Sequence, residues 1–159
     1  MAGQSIEIFC FNIDNQRFAI SLSSVHRILR AVAVTPVPNS PVFIYGLIDY
    51  YGEIVPVINL RYRLNHVTKP IHIDDIFVIA DTSKRRIALV VDEAEVVLTP
   101  ASKDLFASSD LDSGIEAHGI LRQDNGIIFI YDLEKFLSEE EEILMQEAMN
   151  NQTSGENKV

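Results

Sequence analysis

Between residues 6 and 131 the apolar residues fall into short runs rich in β-branched side chains, and turn signals interrupt them. Ile6, Ile8 and Cys10 alternate with their neighbours, and Phe18, Ile20 and Leu22 alternate with Ala19 and Ser21. A period of two is that of a strand whose side chains point to opposite faces in turn. These are therefore two strands, with Asp14-Asn15-Gln16-Arg17 as the hairpin turn between them. Further runs follow at residues 54–60, 76–80, 87–91, 94–98 and 127–131. All are too short for good helices, and their Val and Ile suit a pleated surface. Asn125-Gly126 supplies the positive φ angles of a tight hairpin, and residues 82–86 form a polar break between two strands. Both imply antiparallel neighbours. No long helical patterns alternate with the strands, so a β-barrel or sandwich is favoured over a parallel α/β sheet.

Prolines refine this picture. Pro36, Pro38 and Pro41 exclude residues 35–41 from a central strand and make them an extended connector, a rigid crossover between two β units. Pro56 lies inside an otherwise good strand; proline cannot donate to a ladder, so it marks an edge or a bulge where a partner could approach the sheet.

The one long helical pattern is at the end. Leu133, Phe136, Leu137, Leu144 and Ala148 fall at helical spacing; Asp132 or Ser138 can cap the helix, and Ser138 with Glu141 has the spacing of a capping box. Glu139 to Glu142 stand where the helix dipole favours negative charge. They read as a solvated face capping the barrel, or alternatively as a docking helix for a basic partner. Residues 150–159 are polar, lack apolar residues until the last position, and are expected to be disordered.

Composition excludes several functions. The formal charge is -10, and residues 132–159 hold eight acids against two bases, so six of the ten excess negative charges lie there. Nucleic-acid binders need clustered Lys and Arg to displace counterions, so no nucleic-acid partner is expected. Lys84-Arg85-Arg86 is the densest basic cluster and sits in a turn, where three charges are solvated or, alternatively, form a phosphate or acidic-partner site. The N-terminal five residues lack the basic stretch and apolar core of a signal peptide, and no window approaches membrane-spanning length, so a cytoplasmic chain without membrane insertion is expected. Cys10, the only cysteine, lies in an apolar alternation and is expected as a small buried hydrophobe; a reactive thiol would need a basic neighbour, which is absent locally.

No catalytic constellation emerges. His26, His66, His72 and His118 are scattered without a nucleophile-elbow pattern, and the seven glycines form no phosphate-binding loop. His72 and Asp74 could share a strand face as metal ligands, but no third ligand is near. The expectation is a protein that is not an enzyme and has no cofactor or metal. A small-ligand-binding or catalytic β-barrel remains the alternative, marked by buried acids converging on His72 or His118 in a closed pocket.

The punctuation of the chain carries a resemblance. Phe18-Ala19-Ile20 is followed by Val25 and Ile28, then Pro38, Pro41 and Gly46. The string Gly46-Leu47-Ile48-Asp49-Tyr50-Tyr51-Gly52-Glu53-Ile54-Val55-Pro56-Val57-Ile58-Asn59-Leu60-Arg61 is similar to Gly-Val-x-Asn-Leu-Arg-Gly-x-x-x-Pro-Val-x-Asp-Leu-Arg of the CheW family of chemotaxis adaptors. Leu89-Val90-Val91-Asp92-Glu93, Gly119, and Tyr131-Asp132-Leu133-Glu134-Lys135-Phe136-Leu137 resemble its second half, so the match covers roughly residues 6–137. The resemblance implies an all-β fold of two intertwined five-stranded SH3-like barrels with short helical turns and a C-terminal helix. Its domains would be residues 1–137 (two barrel subdomains), an acidic helix at 138–149 and the tail at 150–159. It also implies a scaffold that links chemoreceptor cytoplasmic tips to the regulatory domain of a CheA-type histidine kinase.

By that resemblance Val25, Arg27, Gly46, Tyr51, Gly52 and Arg61 are expected at the partner-binding surface. The departures from the pattern are informative. Tyr51 stands where the family has an arginine tied to partner contact, Arg27 where it usually places a glutamate, and Ser21 where it usually has proline. If the first two positions lie close together, one acid and one base have become an arginine beside a tyrosine, which stack by cation–π contact worth about 0.5 to 1 kcal/mol when exposed. Charge placement selects partners, so the expectation is altered partner specificity.

Overall fold

A computed structural model describes residues 6–107 and 117–156. Eleven strands form two sheets among these residues. The chain makes β1 (Ile8–Ile13) and β2 (Gln16–Ser21), then β3 (Val25–Arg30), β4 (Ile44–Tyr50), β5 (Glu53–Ile58), β6 (Ile76–Asp81) and β7 (Arg86–Val91). It ends with β8 (Glu93–Leu98), β9 (Leu105–Ala107), β10 (Ala117–Gln123) and β11 (Gly126–Tyr131). A single-turn helix α1 (Leu60–Arg63) follows β5, and α2 (Glu139–Glu156) closes the described chain.

The sheets interlock through the chain path. The six-stranded sheet runs β8-β1-β2-β11-β10-β9 and the five-stranded sheet β3-β6-β7-β5-β4. The chain starts in the first sheet, leaves to build the whole of the second, and returns. Parallel pairing of β2 with β11, from Arg17 opposite Ile128 to Ile20 opposite Tyr131, joins its two ends. Where five strands were expected in each half, one sheet has a sixth, because three-residue β9 pairs with the outer side of β10.

Side-chain alternation explains why the strands are apolar on both faces. Phe9, Phe11 and Ile13 of β1 point into a core shared with Phe18, Ile58, Val78, Leu89 and Tyr131. Ile8 and Cys10 point the other way and pack with Ala19, Leu121, Ile128 and Ile130 inside the first sheet's curl. Ile48, Tyr50, Val55, Val57, Phe77 and Ile79 form the corresponding core of the second. A strand lying between two cores has no solvated face. Cys10 is fully buried, and burial pushes its thiol up to about 11, so it is inert.

The hairpins show their local causes. Asp14 and Asn15 adopt φ of 51° and 64°, the two-residue turn whose twist matches the flanking strands. In the β10–β11 hairpin Gln123 faces Gly126, so Asp124 and Asn125 form the loop and Gly126, at φ 130°, opens β11. Thr82 Oγ1 accepts from the Lys84 and Arg85 backbone N–H groups in the β6–β7 turn, and Thr82 and Arg85 close it at 2.8 Å. The connector at residues 35–41 bridges to β4 where Thr35 and Leu47 exchange two 2.9 Å backbone bonds. Gly46 beside them is required there, because a Cβ would collide with the Thr35 carbonyl oxygen.

Pro56 is placed differently from expectation. β5 lies between β7 and β4, so Pro56 is not on an edge strand. It faces Leu47 of β4, and parallel pairing with β7 begins only at Val57. The missing N–H shortens a ladder inside the sheet.

The end of the chain corrects two details. Asp132 caps the 3-10 turn Leu133–Lys135, and Ser138 caps α2 through the reciprocal pair Glu141 N–H to Ser138 Oγ (3.1 Å) and Ser138 N–H to Glu141 Oε1 (2.9 Å). Met145, not Leu144, enters the shared core, while Leu144 is 45% exposed. Ala148 packs with Val37 and Leu47. Glu141 pairs with Arg63 at 3.0 Å and Glu142 with Arg85 at 3.1 Å, so half of the acidic run fastens the helix to the body. Helix α2 also continues to Glu156, through residues expected to be disordered from 150 onward. Lack of apolar residues removes a reason to pack, but with no Pro or Gly before Gly155 nothing stops propagation of a helix already nucleated. Residues 157–159, the rest of that expected tail, lie outside the described residues.

Candidate functional site

β3 and β4 are the outer strands of the five-stranded sheet, and at one end their side chains meet across the gap. Arg27 on β3 donates from Nη1 to the Tyr51 hydroxyl at 2.9 Å, and its guanidinium carbon lies 5.2 Å from the Tyr51 ring centroid. His26 presents an edge contact to Tyr50 at 5.8 Å, and the Tyr50 and Tyr51 rings meet edge-to-face at 4.9 Å. Arg86, from β7, lies 5.8 Å from the Tyr50 centroid and is held by Asp81 at 2.7 Å and Glu53 at 3.1 Å.

The two tyrosines differ sharply. Tyr50 is 7% exposed, and its buried hydroxyl has no hydrogen-bond partner among the described residues. Tyr51 is 83% exposed at the tip of the β4–β5 hairpin. It adopts φ 52°, followed by Gly52 at 88°, and the Gly52 N–H donates to Asp49 Oδ1 at 2.7 Å. Among the described residues the other non-glycine positions with positive φ are Asp14, Asn15, Asn39 and Asn65, which tolerate that region; Tyr51 is the exception.

The expected site residues separate into two groups. Arg27, Tyr51 and Gly52 converge at the hairpin tip, and Val25 is half-buried two residues from Arg27 where β3 bulges against β6. Gly46 lies back along β4 under the connector. Arg61 is 6% exposed and faces inward: Nη1 meets Asp14 and Nη2 meets Asp92, each at 2.5 Å. That guanidinium, and secondarily His66 at 3.1 Å, holds the Asp14 carboxyl down at about 2. Arg61 therefore ties α1 to the β1–β2 turn and the end of β7, using its rigid fork within the fold. Tyr50, His26 and Arg86 belong to the tip cluster although sequence reasoning did not select them; two are chain neighbours of the selected pair, and Arg86 lies in the basic triplet.

At His72 the alternative chemistry finds no support in the geometry. His72 and Asp74 are exposed turn residues, with the Asp74 N–H donating to His72 Nδ1 at 3.0 Å. No group of three or more His, Cys, Asp or Glu among the described residues could hold a metal. His118 has its side chain outside the described residues. An open groove of about 850 Å³ runs between α1 and the closing segment, but both nitrogens of its His66 are engaged, with Asp14 and with Gln16 at 3.0 Å. No helix among the described residues is long and apolar enough to cross a membrane.

Comparison with known proteins decides the family, because the CheW-like domain model matches residues 7–141. The chain belongs to the CheW-like domain family. It is 26% identical over 140 residues to the chemotaxis protein CheW of Rhizobium meliloti (strain 1021), covering 86% of this chain and 90% of that protein. It is 27% identical over 137 residues to the chemotaxis protein CheW of Thermotoga maritima, covering 86% and 90%. A shorter stretch of 54 residues, 34% of each chain, is 39% identical to protein FrzA of Myxococcus xanthus. The crystal structure of the scaffolding protein TtCheW from Thermoanaerobacter tengcongensis shares the fold, with a TM-score of 0.75 over 84% of this chain and 92% of that one at 24% identity. The chain thus carries a CheW-like domain, built on two SH3-like halves.

Proposed function

We propose that this CheW-like chain is a non-catalytic cytoplasmic adaptor that couples the cytoplasmic tips of chemoreceptors to the regulatory domain of a CheA-type histidine kinase, with partner specificity altered at the hairpin tip. The observation that carries the second half is the contact between Arg27 and Tyr51. These residues stand where the family pattern has an acid and an arginine, so a surface built for the usual partners meets one cation on an aromatic platform. Charge complementarity governs which partner docks, and a reversed charge at an interface costs several kcal/mol, on the order of a thousandfold in affinity.

Co-purification with the full chain tests the adaptor role, with recovery of a histidine kinase as the expected result. The specificity claim is tested with a receptor tip and kinase regulatory domain from a conventional chemotaxis system. Weak binding by the native chain and stronger binding after Tyr51→Arg are expected; ordinary adaptor affinity for the native chain would falsify it.

A further inference from the structure

The tip cluster is better supplied with hydrogen-bond donors than its own acceptors can use. Of the eight arginines in the chain, Arg17, Arg61, Arg63, Arg85 and Arg86 each pair with a carboxylate inside the fold. Arg27, Arg30 and Arg122 have no carboxylate partner among the described residues, and of these Arg27 is the one at the hairpin tip. Its guanidinium is held by the Tyr51 ring and hydroxyl and remains exposed. Behind Tyr51, the Tyr50 hydroxyl is buried without a hydrogen bond, which costs on the order of 1–3 kcal/mol wherever it occurs. Tyr51 itself occupies a backbone region that Asn or Gly would adopt more readily. An unpaired cation, an unsatisfied hydroxyl and a strained aromatic within one cluster point to recognition, since strain and unmet hydrogen bonds concentrate at binding sites.

We propose that Arg27 and Tyr51 recognise a carboxylate side chain, Asp or Glu, on the protein that docks at this hairpin tip. This rests on the adaptor reading above and names the chemistry of its partner. A partner Lys or Arg at the same place would meet the unneutralised Arg27. A planar carboxylate matches the guanidinium fork with two parallel hydrogen bonds. The nearby acids Asp49, Glu53 and Asp81 penalise a phosphate dianion more than a monoanion, and Arg86 is already engaged by two of them. A protein carboxylate is therefore favoured over a phosphorylated group.

Two experiments on the full chain separate the possible outcomes. In the first, side-chain NMR of Arg27 follows titration with sodium acetate, methylammonium chloride and sodium phosphate at matched ionic strength. Acetate is expected to shift the Arg27 Nε resonance saturably, methylammonium to leave it unmoved, and phosphate to act more weakly. Arg27→Gln should abolish the acetate response in the neighbouring Tyr51 signals. Equal response to all three salts, or tighter binding of phosphate, overturns the inference. In the second, a co-purified kinase regulatory domain is tested against Arg27→Glu. Binding should fall at least tenfold and return when a partner Asp or Glu is changed to Arg. Equal binding of native and Arg27→Glu chains overturns the carboxylate site while leaving the adaptor role intact. A saturable acetate response without any kinase binding overturns the adaptor role and leaves the site.

Discussion

Arg61 on α1 meets Asp14 in the β1–β2 turn at 2.5 Å, and the pair joins the helix that follows β5 of the five-stranded sheet to a hairpin of the six-stranded one. The same guanidinium meets Asp92 just beyond β7, and the Asp14 N–H donates to Asp92 at 2.8 Å. Removing the arginine leaves two carboxylates facing each other across that junction. Because Asp14 is nearly half exposed and Asp92 a quarter exposed, water offsets part of the loss. Arg61→Met is expected to destabilise by about 2 kcal/mol, below the range for a fully buried pair broken on one side. Urea denaturation checks this, and adding Asp14→Asn and Asp92→Asn to the same chain should recover most of the loss.

The Asp14 carboxyl is held from an ordinary 3.8 down to about 2 by its hydrogen bonds to Arg61 and His66. A carboxylate whose folded value is depressed contributes stability that is fully present above the unfolded value and is lost as pH falls through the folded one. Between about pH 4 and pH 2, therefore, the native chain should lose stability more steeply than Asp14→Asn. Asn tolerates the positive φ of position 14, so the comparison isolates the charge. Urea midpoints across this range measure the gap, which should shrink with added salt because the group is solvent-accessible.

Gly46 and Gly52 are both part of the family-like string, yet they serve different needs. At Gly46 an added Cβ collides with the Thr35 carbonyl oxygen, where the connector bonds to β4. At Gly52 nothing lies within 4 Å, and only φ of 88° resists a side chain. Gly46→Ala is expected to cost about 2 kcal/mol through displaced backbone, and Gly52→Ala about 1 kcal/mol through strain alone. Thermal denaturation should rank them in that order, and amide exchange at Thr35 and Leu47 should rise only in Gly46→Ala.

Some elements could be read from the chain and others could not, for identifiable reasons. The β1–β2 hairpin was legible because its apolar residues alternate and Asp14-Asn15 signals a turn, although Gln16 and Arg17, expected in the turn, open β2. β3 was missed because the bulge between Val25 and Arg27 breaks its alternation and half of its residues are polar. β4 was obscured by the bulge at Gly46 and by burial on both faces, β10 by the bulge near Gly119, and β9 by having only three residues. At the site, the proximity of Arg27 and Tyr51 was suggested only through the family resemblance, since they lie on different strands. The Tyr50 hydroxyl and Arg86 carry no such signal: their meeting depends on β7 lying beside β5, which is a matter of topology rather than of local pattern.

The phase of α2 shows how far helical spacing alone can mislead. Leu133, Phe136, Leu137, Leu144 and Ala148 fit one continuous helix, but the backbone turns at Ser138 and the pattern restarts. The cap at Ser138 and the pairs Arg63–Glu141 and Arg85–Glu142 then set the face that meets the body. That face carries Met145 and Ala148, so Leu144 is turned outward. Met145→Ala is expected to cost about 3 kcal/mol, the loss for emptying a filled core position, whereas Leu144→Ala should stay within about 0.5 kcal/mol. Chemical denaturation of the two variants distinguishes the phases directly, because a helix rotated to bury Leu144 would reverse the order.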